Sequence, residues 1–150
     1  MVLAALLFIR RVAQTTSVAR VTGRLIEEGM LHSLQGTTVP EYAALYRIHG
    51  PFLFGATDKL SKITDHLHTL PPIVILRLRH VPAMDASGLQ ALEDLADRLK
   101  ESGRTLILCG AREQPANLML RAEFHEHVGD ANICANIRDA LRRAAELHSS

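Results

Sequence analysis

One stretch limits the folds open to this chain more than any other. It comprises the apolar run Ile73-Val74-Ile75-Leu76-Arg77-Leu78-Arg79, the turn HVPAMDASGL at residues 80–89, and the amphipathic segment that follows. The run is β-branched and nearly continuous, as expected of a central strand covered on both faces at its start. Beyond the turn, Leu89, Leu92, Leu95, Ala96 and Leu99 mark one helical face, while Glu93, Asp94, Asp97, Arg98 and Lys100 occupy the other. Gly103 closes that helix, and Thr105–Cys109 reads as another short core strand. Strand, helix, strand in this order is the unit of a parallel α/β sheet.

The flanking text extends the pattern. Ala43–His49 alternates as a strand does, with Leu45, Arg47 and His49 on one face and Tyr46 and Ile48 on the other. Gly50-Pro51 breaks it, and Phe52-Leu53-Phe54 is read as a short further strand. Leu60, Ile63 and Leu67 predict a helix over residues 56–70, which Pro71-Pro72 stops. Two more helices are expected over residues 113–122 and 136–147, the last with Ile137, Leu141, Ala144 and Ala145 inward. Residues 15–38 are weakly patterned and polar, with Gly23, Gly29 and Gly36 scattered through them, and read as a linker or irregular arm.

A chain of 150 residues with 47% apolar content fits one domain with its own core. Seventeen Lys and Arg against sixteen Asp and Glu give a net charge of +1, so the overall balance points to no nucleic-acid partner. Cys109 and Cys134 form no C-x-x-C, and Cys109 ends an apolar run where a reduced thiol packs well. A cytosolic setting without a metal is expected.

The amino terminus is unusual. Val2 to Ile9 are all apolar, but such a run is short of the roughly 20 residues a membrane helix needs. Arg10 and Arg11 follow the run rather than precede it, which is the wrong order for a signal peptide. An apolar run entering an Arg pair, then Arg20 and Arg24, has the look of the cytoplasmic end of a membrane helix. An amphipathic first helix packed on the domain fits the segment equally well.

In a sheet of this kind ligands gather where strands end and helices begin, so function is sought at HVPAMDASGL. Asp85 or Ser87 can cap the helix, Gly88 allows close approach, and the helix dipole would favour a phosphate placed there. The same residues also make an ordinary helix start.

Asp85-Ala86-Ser87-Gly88-Leu89 after an apolar strand, flanked by Pro71-Pro72-Ile73-Val74-Ile75-Leu76 and Gly103-Arg104-Thr105-Leu106, resembles the STAS domain. That domain is shared by bacterial anti-sigma factor antagonists and the carboxy-terminal cytoplasmic part of SulP-type anion transporters. The resemblance runs from about Tyr46 to Leu147. It implies an α/β STAS (anti-sigma factor antagonist-like) fold, a mixed four- to five-stranded sheet with about four helices, mainly on one face. Residues 4–13 resemble the last membrane helix of a SulP transporter entering its linker. Residues 44–56, Phe124-His125-Glu126-His127 and Asn132-Ile133-Cys134 resemble that branch's STAS domain.

The resemblance implies a division into residues 1–14 (end of a transmembrane helix and juxtamembrane segment), 15–42 (linker or arm) and 43–150 (STAS domain). It implies a non-enzymatic regulatory or interaction domain of a sulfate-type secondary anion transporter, at the cytoplasmic face of the membrane. The expected partner is the transporter's own membrane domain. A regulatory protein, a nucleotide or a second copy through the transporter are further expectations, with no nucleic acid. The contact loop implied is Asp85, Ala86, Ser87, Gly88 and Leu89. The alternative is a free-standing anti-sigma factor antagonist. In antagonists the residue directly after the motif's Asp is the phosphorylated Ser or Thr, and here it is Ala86, without a hydroxyl. Ser87 is the remaining candidate phosphoacceptor, turned by roughly 100° along the helix start.

Other constellations carry less. Gly50-Pro51-Phe52-Leu53-Phe54-Gly55 has phosphate-loop spacing, but Ala56-Thr57 replaces the Lys-Ser/Thr that would reach phosphate and magnesium. His125 and His127, with Glu123 and Glu126, would share a face only if extended, and no third ligand is identifiable. No catalytic motif or cofactor fingerprint is recognisable.

Overall fold

The computed structural model describes residues 2–21, 38–54 and 56–150. Helix α1 (Val2–Thr15) leads into β1 (Ser17–Arg20), followed after residues 22–37 by β2 (Ala43–His49). Between β2 and β3 (Ile73–His80) lie 3-10 turns at Thr57–Leu60 and Leu67–Thr69 around the single turn α2 (Ser61–Thr64). Then come α3 (Ala86–Glu101), β4 (Thr105–Cys109), α4 (Glu113–Arg121), the short α5 (His125–Val128), β5 (Ile133–Cys134) and α6 (Ile137–His148).

The sheet has five strands in the order β1-β2-β3-β4-β5. β1 is antiparallel to β2, with Ser17 opposite His49 and Arg20 opposite Tyr46, and the remaining pairs are parallel. Sequential parallel strands joined by crossovers of one hand send every crossover to the same face. That face accordingly holds the larger core: Ala44, Tyr46 and Ile48 of β2 and Val74, Leu76 and Leu78 of β3 pack with Ile63, Leu92, Leu95, Leu99, Met119 and Phe124. Among the described helices α6, after the last strand, covers the other face, where Ala140 and Ala144 pack on Ala43, Leu45, Ile73, Ile75 and Ile107. β3 from Ile73 to Leu78 is buried throughout, as its nearly continuous apolar run requires.

Several expectations need correction. The helix expected over residues 56–70 is broken into three short pieces. Leu60, Ile63 and Leu70 still reach the core. Phe52 forms a single parallel bridge to Met84 instead of a strand. Within the expected linker, Ser17–Arg20 is the edge strand of the sheet, Val18 is fully buried and the Val21 N–H donates to the Leu45 carbonyl at 2.7 Å. The greater part of that linker, and Gly55 of the phosphate-loop spacing, lie outside the described residues. The helices lie mainly on one face, as expected, with α6 on the other. His125 and His127 stand in a helix, where residues two apart do not share a face, so the extended arrangement considered for them does not occur.

Candidate functional site: the carboxyl end of the sheet

The turn after β3 is held from three sides. Asp85 is the N-cap of α3, and one carboxylate oxygen accepts from the Gly88 N–H at 2.9 Å. Its other oxygen accepts from the Phe54 N–H at 3.0 Å, tying the helix start to the loop after β2. The Phe52 N–H donates to the Ala83 carbonyl at 2.9 Å. From the opposite side the Gln114 side-chain amide pairs with the Met84 backbone as a strand would, accepting from its N–H at 2.8 Å and donating to its carbonyl at 2.9 Å.

Gly88 is buried where this packing is tightest. A Cβ there would lie 2.3 Å from the Phe52 carbonyl oxygen and 2.9 Å from the Phe52 ring. Leu89 turns into the core, Ser87 is half-buried and takes no part in the cap, and Ala86 is exposed. The motif therefore presents a methyl group to solvent at its outermost position. Beside it, Pro82, Arg112, Glu113, Gln114, Asn117 and Arg121 border a shallow depression of about 440 Å³.

The base of α1 meets this same end of the sheet. The Thr16 hydroxyl donates to the Pro51 carbonyl at 2.6 Å. Gly50 adopts φ +101°, and a Cβ there would come within 2.9 Å of the Thr15 carbonyl oxygen. Away from this junction, Val2, Leu3, Leu6 and Leu7 of α1 are exposed. Among the described residues no helix is long and apolar enough to cross a membrane.

The titratable groups divide by position. Burial pushes the Cys109 thiol up to about 12, leaving a protonated, unreactive sulfur in the core. Tyr46 is also raised by burial. His127 has the opposite character: its Nδ1 lies 3.0 Å from an Asp97 carboxylate oxygen and its Nε2 4.0 Å from Glu93, and the hydrogen bond to Asp97 raises its pKa. His127 thus joins α5 to α3 rather than joining His125 in a site.

Sequence reasoning brought out the residues of the turn but missed its clamps. Gln114 is 30 residues from Met84 and Thr16 is 35 from Pro51, so neither carries a local signal.

A family model described as STAS domain matches residues 36–140. The chain belongs to the STAS domain family. This STAS domain is 32% identical to a sulfate transporter family protein of Wolinella succinogenes, over 76% of this chain and 93% of that one, with a TM-score of 0.70. It is 28% identical to the STAS domain of a SulP transporter from Vibrio cholerae, over 82% of this chain and 99% of that one, with a TM-score of 0.66. It is also 27% identical over 130 residues to YvdB of Bacillus subtilis, a protein named as a sulfate transporter. That match covers 86% of this chain and 23% of YvdB, so the chain spans about a quarter of that relative. The chain is homologous to the STAS domains of SulP transporters, and the five-stranded mixed sheet is the STAS fold.

Proposed function

We propose that this STAS domain is the cytoplasmic, non-catalytic regulatory module of a SulP-type secondary transporter of sulfate-like anions. It acts by contact between the turn at residues 85–89 and the transporter's membrane domain. The observation that carries the reading is the convergence at one end of the sheet of the α1 base, the Gly50–Phe54 loop and the capped start of α3. The homology to SulP STAS domains supplies the transporter context.

The turn is built to be held still rather than to react. Asp85 spends both carboxylate oxygens on backbone N–H groups, and the exposed position after it is Ala86. Such a corner transmits force or position, and a partner that prefers one transport state would shift the population toward it. This also disfavours the phosphoswitch of an antagonist, which requires a hydroxyl at the exposed position.

The test is Ala86→Glu in the complete permease, because that side chain projects outward and its replacement leaves the cap intact. The expected outcome is altered anion uptake at unchanged expression and membrane delivery. Uptake equal to that of the unmodified permease would count against the contact.

A further inference from the structure

The carboxyl ends of β2 and β3 gather positive charge on one face. Arg47 and His49 continue the face of Ala43 and Leu45, and Arg77 and Arg79 continue that of Ile73 and Ile75. Arg47 pairs in register with Arg77, and His49 with His80, whose rings lie 5.4 Å apart. Arg79 and His49 are exposed, Arg47 and His80 half-buried, and Arg77 buried. Among the described residues no carboxylate forms an ion pair with Arg47, His49, Arg79 or His80. The Arg47 Nε is buried there without a hydrogen-bond partner. Burial lowers the pKa of His80, and among the described residues Arg77, His49, Arg79 and Arg47 lower it further. Grouping like charges costs stability, and the exposed Arg79 and half-buried Arg47, which have no carboxylate partner among the described residues, are open to an anion.

Its position says which. Ser17, two residues beyond the end of α1, stands opposite His49 in the ladder. The exposed apolar side chains Val2, Leu3, Leu6 and Leu7 belong to the far end of the helix that meets the sheet at this junction. Arg10 and Arg11 stand on α1 about one turn before its end. An apolar helix joined to a basic platform is an arrangement that matches a bilayer, with hydrocarbon for the helix and anionic headgroups for the platform.

We infer that the platform built on Arg47 and Arg79, bordered by His49 and His80, docks on the acidic phospholipid headgroups of the membrane beside α1. This rests on the proposed transporter setting and deepens it: the domain's carboxyl end is its membrane-facing surface, and headgroup charge helps set its orientation.

The test uses the complete 150-residue chain. Co-sedimentation is measured with vesicles of phosphatidylcholine alone and of equal parts phosphatidylcholine and phosphatidylglycerol. The unmodified chain should bind the acidic vesicles more tightly, and high salt should remove the difference. Arg79→Gln should weaken acidic-vesicle binding about five-fold, and adding His49→Gln should weaken it further, with neutral-vesicle binding unchanged. Both side chains are exposed, and circular dichroism verifies folding of the variants.

Equal binding of Arg79→Gln and the unmodified chain to acidic vesicles overturns the inference, as does no preference of the unmodified chain for them. Saturable binding of inorganic sulfate that Arg79→Gln abolishes, without any vesicle preference, assigns the platform to a free oxyanion and overturns it as well. Anion uptake by the Ala86→Glu permease judges the transporter contact separately, so failure of one is distinguishable from failure of the other.

Discussion

The Asp85 carboxylate accepts from two N–H groups that belong to different parts of the chain, Gly88 in α3 and Phe54 in the loop after β2. Asp85→Ala removes both acceptors and should cost about 1–2 kcal/mol, measured as a shift in the urea midpoint. Asp85→Asn keeps one acceptor oxygen and should lose less. Ser87→Ala should fall within about 0.5 kcal/mol of the unmodified protein, because Ser87 contributes nothing to the cap. A larger loss at Ser87 than at Asp85 would overturn this division of roles. Gly88→Ala acts through crowding, since its Cβ meets a backbone oxygen at 2.3 Å that cannot swing aside as a side chain could. We expect a cost of about 1–3 kcal/mol, with loosened Phe52–Met84 pairing detectable by hydrogen exchange. The sequence identified Asp85 and Gly88 because capping and close approach are local demands. It did not identify Phe52 and Phe54 as the groups they meet, because those contacts exist only once β2 and β3 lie side by side.

At the scale of elements, the patterned segments were legible where hydrophobic spacing and propensity agreed. In α3 both point to a helix, and the helix forms. In residues 56–70 they conflict: Leu60, Ile63 and Leu67 are spaced for a helix, but Thr57, Asp58, Ser61, Thr64, Asp65 and His66 are weak helix formers. The Thr64 and Thr69 hydroxyls donate to the carbonyls three residues back, and Lys59, His66, Thr69 and Leu70 make i→i−3 backbone bonds. The apolar anchors dock, but the helix between them does not stay continuous.

α5 and β5 were illegible for another reason: each is only a few residues long and is fixed from outside. α5 is held to α3 by His127, Asp97 and Glu93. The raised His127 pKa gives this link a defined pH dependence. A group whose pKa is raised on folding stabilises fully below its unfolded value, about 6.5, and loses that contribution as pH rises through the folded value. The stability difference between the unmodified protein and Asp97→Asn should therefore be largest in mild acid and shrink above neutrality. Thermal melts across that range would show it, and a difference that grew with pH would reverse the assignment.

For the whole molecule, a net charge of +1 concealed a local gathering of basic groups, because parallel strands bring Arg47, His49, Arg79 and His80 to the same end, where no carboxylate among the described residues pairs with them. Topology also decided the fate of residues 15–42. They lack the alternating pattern that marks β2, and the family match begins only at residue 36. Nevertheless Val18 is fully buried and Val21 nearly so, and β1 covers the edge of β2. An uncovered β2 would present Ala43–His49 as an unpaired edge backed by apolar side chains, a template for pairing with another chain. Removing residues 1–37 should therefore cost roughly 3–5 kcal/mol from the two valines alone and promote self-association. Urea unfolding would measure the first effect and sedimentation velocity the second. A fragment of residues 38–150 that stayed monomeric and equally stable would mean that the sheet is complete with four strands. If both effects appear, the element joining α1 to the domain is part of its core. Any pull on α1 then reaches β2 directly and, through the Phe54 bond to Asp85, the start of α3.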